Sequence, residues 1–121
     1  MEYITITDLL SKTLKSVEKI EEDQILFTTV DDTQYRMCHI QDCCESVHIE
    51  DINGDLQDLV GSPILQAEEI TNSEDTFGKS LNESFTWTFY KLATVKGYVT
   101  IRWIGESNGW YSESVEFIKI N

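Results

Sequence analysis

Cysteine, histidine and carboxylate side chains hold metals, attack carbonyls and move protons, and this chain crowds them into one stretch. Between Met37 and Asp55 lie all three cysteines (Cys38, Cys43, Cys44), both histidines (His39, His48) and the carboxylates Asp42, Glu45, Glu50, Asp51 and Asp55. Thiolate and imidazole are zinc ligands, so His39, Cys43, Cys44 and His48 form the candidate metal set. Their spacing departs from the familiar zinc sites, which pair one Cys-x2-4-Cys with a distant second pair, whereas Cys43 and Cys44 are adjacent. No cofactor is therefore expected, with zinc the metal to consider. Asp51-Ile-Asn-Gly-Asp55 starts like a calcium loop, but Gly54 stands fourth rather than sixth and no glutamate stands twelfth, so an EF-hand is excluded. Glycine-rich phosphate loops, the Gly-x-Ser-x-Gly elbow and His-Glu-x-x-His are all missing, and catalysis has no positive support.

Charge gives the second signal. Nine Lys+Arg against 22 Asp+Glu leave a net charge of −13. From Met37 to Gly78 there is no Lys or Arg, while Asp42, Glu45, Glu50, Asp51, Asp55, Asp58, Glu68, Glu69, Glu74 and Asp75 are all acidic. Such a field repels nucleic acid and anionic membrane and attracts basic surfaces. Acids also simply keep a small protein in solution. The docking expectation names Asp42, Glu45, Glu50, Asp51, Asp55, Asp58, Glu68 and Glu69 as contacts for a partner protein with a basic surface, with no direct nucleic acid and no membrane.

The elements that must position these groups read as mainly β. A length of 121 residues suits one domain spanning 1–121, with a core burying about two thirds of the unfolded surface. Thr7 or Asp8 is a plausible cap for a short helix, followed by a strand from about Thr13 to Ile20. Asp23 to Ile40 reads as a hairpin turning at Asp31-Asp32-Thr33, and Glu45 to Ile52 as a strand with Val47 and Ile49 opposite His48. Asp55 to Val60 reads as a helical turn capped by Asp55 and stopped by Gly61. Ile64 to Thr71 follows as a strand, and Thr71 to Glu83 as a long polar loop. Phe85–Phe89, Tyr98–Ile104 and Trp110–Ile120 predict a C-terminal three-stranded meander, with Phe85, Trp87 and Phe89 facing Val99, Ile101 and Trp103 in the core. The expected class is mainly β (α+β): one domain, antiparallel, with one or two short helices.

The unpaired cysteine count and the adjacency of Cys43 and Cys44 argue against a disulfide framework and for reduced thiols. Met1–Leu10 lacks a signal peptide's basic start and long apolar core, and no stretch nears the roughly 20 apolar residues of a membrane span. A soluble, cytoplasmic protein is expected.

The segments Gln41-Asp-Cys-Cys-Glu-Ser-Val47, Ile49-Glu-Asp-Ile-Asn-Gly-Asp-Leu-Gln-Asp-Leu-Val-Gly-Ser-Pro-Ile64, Ala67-Glu-Glu69, Thr86-Trp-Thr-Phe-Tyr-Lys-Leu-Ala-Thr94 and Gly97-Tyr-Val-Thr-Ile-Arg-Trp-Ile-Gly-Glu-Ser-Asn-Gly109 resemble an uncharacterised small domain family of bacteriophages and prophages of Gram-positive bacteria. The resemblance runs from about Leu10 onward. Its pattern has a glycine before Lys12, where this chain carries Ser11. It implies phage origin and a bacterial host cytoplasm, and it carries no catalytic residues. By analogy with small acidic phage proteins, it favours a host-defence inhibitor of anti-CRISPR or anti-restriction type that mimics nucleic acid on a basic host surface. Two alternatives stand beside it. One is a binder or sponge for a nucleotide signal, built on Trp87, Tyr90, Trp103, Trp110 and Tyr111 with Arg36 or Arg102. The other is a metal-binding protein centred on the Cys/His stretch.

Overall fold

Alternation of apolar and polar residues along most of the chain dictates strands with one buried face. The computed structural model describes residues 1–75 and 84–121. Among them are nine strands: β1 (Glu2–Ile4), β2 (Leu14–Ile20), β3 (Gln24–Thr29), β4 (Gln34–Cys38), β5 (Ser46–Asn53), β6 (Gln66–Asp75), β7 (Ser84–Thr94), β8 (Gly97–Ser107) and β9 (Glu116–Lys119). Every strand pairing is antiparallel. One sheet has the order β1-β9-β4-β3-β2 and the other β5-β8-β7-β6. Single 3₁₀ turns at Ile6–Leu9 and Leu56–Leu59 are the only helical elements among the described residues. The first starts after Thr5, not Thr7 or Asp8; the second is capped as expected, the Asp55 carboxylate accepting from the Gln57 N–H.

The two sheets bury their facing surfaces in a common core. Phe27, Tyr35, Met37 and Phe117 come from the first sheet, and Ile49, Tyr90, Leu92, Val99, Ile101 and Trp103 from the second. Tyr35 stacks on Phe117 with ring centroids 5.4 Å apart, while Phe27 meets Phe117 edge-on at 5.8 Å. The Trp103 indole N–H points at the Met37 sulfur, 3.3 Å away, tying one sheet to the other.

Three expectations are corrected. The three consecutive antiparallel strands of the second sheet are β6, β7 and β8; the C-terminal strand β9 instead crosses to the first sheet, between β1 and β4. Its crossing segment presses Glu113 against Gly105, where an added Cβ would stand 2.7 Å from the Glu113 Cβ. Glu113 is buried and accepts from the hydroxyls of Thr86 (2.7 Å) and Ser107. That polar inner position explains the second correction. Thr86, Thr88, Tyr90 and Leu92 share the inner face with Val99, Ile101 and Trp103, so Phe85, Trp87 and Phe89 point outward. Third, Thr71 to Asp75 continues β6, and the remainder of the expected loop, 76–83, lies outside the described residues.

Candidate functional site

The Cys/His stretch lies where the chain crosses between sheets, from β4 to β5. Its centre is a polar knot. His39 Nε2 lies 2.6 Å from Glu45 Oε2 and His39 Nδ1 lies 2.7 Å from the Ser114 carbonyl oxygen. Both side chains are sealed from solvent, at 2% and 0% exposure. Both ring nitrogens therefore have an oxygen partner, one of them the Glu45 carboxylate. Glu45 also accepts the N–H groups of Asp42 (2.8 Å) and Cys43 (2.9 Å). Burial opposes its ionisation, but hydrogen bonds from Cys43, His39, Asp42 and its own N–H outweigh burial and hold the carboxyl at about 2. Ser114 belongs to the segment carrying the chain back from β8 to β9. One buried pair therefore fastens both crossings.

This arrangement disperses the candidate metal set. His39 is occupied on both nitrogens, and Cys43 and Cys44 are joined to each other as a vicinal disulfide where reduced thiols were expected. His48 pairs with Ile104 on the outer face of the second sheet. No group of three or more His, Cys, Asp or Glu side chains placed to hold a metal exists among the described residues. Cys38 is a buried free thiol that burial pushes up from its ordinary value, which disfavours the thiolate.

The docking acids scatter as well. Glu45 is buried in the knot and unavailable to a partner. Asp42 is exposed on the β4–β5 connection, and Asp55 and Asp58 belong to the second 3₁₀ turn, Asp55 as its cap. Glu69 shares the inner register with Tyr90, whose hydroxyl donates to it at 3.1 Å. Burial, then the Glu69 charge, pushes the Tyr90 phenol up. Three acids gather on one surface. A register shift between Ile49 and Asp51 interrupts the alternation of β5 and brings both Glu50 and Asp51 to Arg102, while Glu68 stands on the opposite edge strand beside Lys91.

That surface is the outer face of the four-stranded sheet, and it is unusually apolar. Trp87 pairs with Ile104, Phe89 with Arg102 on one side and Ile70 on the other, and Phe85 with Glu106. Phe85, Trp87, Phe89 and Ile104 are half-buried and Ile70 is exposed, with no element of the described residues laid over them. Arg102 lies over the Trp87 ring, 5.6 Å from its centroid, and bonds to Glu50. A cleft of about 300 Å³ next to Cys44, Phe85 and Glu106 extends this face at one end. The sequence assigned these aromatics to the core, so their surface role was missed; the strict alternation of Phe85 to Phe89 with threonines pointed the other way.

The five aromatics expected to share a ligand pocket do not meet. Trp103 and Tyr90 are core, Trp87 faces outward from the same sheet, and Trp110 is 83% exposed on the β8–β9 connection. Arg36 is on an exposed position of the first sheet. No helix of the described residues is long and apolar enough to cross a membrane.

Comparison with known proteins places the chain in a family. The model of a domain of unknown function, DUF7448, matches residues 7–117, and the chain belongs to that family. No curated protein and no solved structure matches it.

Proposed function

We propose that this member of the DUF7448 family is an interaction protein that docks on a basic surface of a partner protein, and that in a phage-infected bacterial cytoplasm it acts as an inhibitor of host defence. The observation that carries the reading is the outer face of the second sheet, where an aromatic centre of Phe85, Trp87, Phe89 and Ile104 is flanked by Glu50, Asp51, Glu68 and Glu106. Burying aromatics supplies affinity, and surrounding acids supply steering and selectivity for cationic surfaces. The net charge of −13 extends the same attraction to long range. Arg102 and Lys91 on this face keep it from being uniformly anionic.

The test begins with crosslinking in lysate of the bacterial host, followed by purification of the captured protein and a binding isotherm. Affinity is expected to fall at least about ten-fold between 50 and 300 mM salt, and again by a similar factor in Glu50→Lys/Asp51→Lys/Glu68→Lys, which keeps its Tm within a few degrees. Affinity indifferent to both salt and charge reversal contradicts the proposal.

A further inference from the structure

Arg102 shows what the outer face is built to hold. Its guanidinium lies over the indole of Trp87 and is bonded to Glu50, with the Asp51 carboxylate 4.0 Å away. Ring, two carboxylates and cation make a cradle of the kind that recognises a planar cation: the ring takes its face and the carboxylates take its edge. The occupant is held loosely. Arg102 and Glu50 are 39% and 38% exposed in their side chains, and an ion pair that open to water contributes little. On either side of the cradle, Phe85 and Phe89 offer further ring surface along the same strand.

We infer that the partner presents arginine rather than lysine, and that an arginine of the partner takes the place of Arg102 between Trp87 and the carboxylates of Glu50 and Asp51. The inference rests on the proposed docking of a basic protein and adds the chemistry of its contact residue. A guanidinium is planar and weakly hydrated, so it stacks on an indole and pairs edge-on with carboxylates in one pose. An ammonium of equal charge satisfies the acids without using the ring in the same way. Charge attraction alone would not distinguish the two; the cradle does.

Titration of capped deca-arginine and deca-lysine into the intact protein, read by calorimetry at low salt, separates the possibilities. Arginine is expected to bind about three- to ten-fold more tightly than lysine. The preference should widen in Arg102→Ala, which empties the cradle, and vanish in Trp87→Leu, which keeps an apolar side chain but removes the ring. Should Trp87→Leu fold poorly, Phe89→Leu tests the neighbouring ring of the same face, and a partial loss of preference is expected there. Equal binding of both peptides to Arg102→Ala, or a preference that survives Trp87→Leu, overturns the inference. In that event the basic-partner reading still stands if Glu50→Lys/Asp51→Lys weakens both peptides alike. Absence of binding by either peptide overturns the inference and the reading together.

Discussion

The β4–β5 crossing and the outer face of the four-stranded sheet are opposites in how they use their charges. At the crossing, Glu45 and His39 face each other and the nearby backbone N–H and carbonyl groups, and hydrogen bonds within the chain use both ring nitrogens and the carboxylate. On the sheet, Glu50, Asp51 and Arg102 are half open to water beside half-buried aromatic rings. The crossing is rich in reactive residue types yet closed on itself. The sheet face has the sequence of an ordinary strand pair, yet no element of the described residues is laid over its rings. Clustering of Cys, His and carboxylates along a chain therefore marks a site only when their hydrogen-bonding capacity is not consumed by the fold.

The crossing is most vulnerable at Glu45. Replacing it with alanine strands a buried imidazole and two backbone N–H groups, so Glu45→Ala should lower Tm by on the order of 10 °C. Exposed Glu68→Ala, measured alongside by calorimetry, should move Tm by less than about 2 °C. Equal small shifts would mean that the knot is not what fastens the crossings. Gly105→Ala attacks the second crossing through Glu113, and a destabilisation of about 1–3 kcal/mol is expected in denaturant titration, because backbone and Cβ must both give way.

Acid sharpens the contrast further. The Glu45 carboxyl has an ordinary value of 4.5 and is held at about 2 when folded, so below pH 4.5 the unfolded chain binds the extra proton first. Its contribution is complete above pH 4.5 and drains away as pH falls towards 2. Glu45→Gln should flatten the acid limb of a stability-against-pH curve. Asp8, held low mainly by the Tyr35 hydroxyl and also by Lys12, contributes in the same direction, so some slope remains. An acid limb identical to the parent's would assign the effect elsewhere. The smallest expected change lies outside both regions: Ser11 adopts a φ of 70°, in the left-handed region that favours glycine, and Ser11→Gly should stabilise by about 1 kcal/mol in the same denaturant assay.

Much of the strand framework was legible because alternation and turn residues are local. The β3–β4 hairpin and the Asp55 cap both stand where sequence put them. What failed was long-range. Alternation says that Trp87 and Tyr90 lie on opposite faces of β7, but not which face is covered. Choosing the more apolar set put Phe85, Trp87 and Phe89 inside. The fold turns Thr86 and Thr88 inward instead, because Glu113 arrives from 27 residues further along to satisfy the Thr86 hydroxyl. The His39–Glu45 pair escaped notice for a similar reason: its geometry depends on Ser114, which lies 75 residues beyond His39. The gathering of Glu50 and Asp51 on Arg102 depends on a bulge that no residue of β5 announces.

Amide shift mapping on the ¹⁵N-labelled protein titrated with deca-arginine views the crossing and the sheet face in one experiment. Perturbations are expected at Glu50, Asp51, Phe85 to Phe89 and Arg102 to Glu106, with the amides of His39, Cys43 and Glu45 unmoved. Shifts centred on His39 to Glu45, with the outer face silent, would contradict the assignment of the site to the sheet.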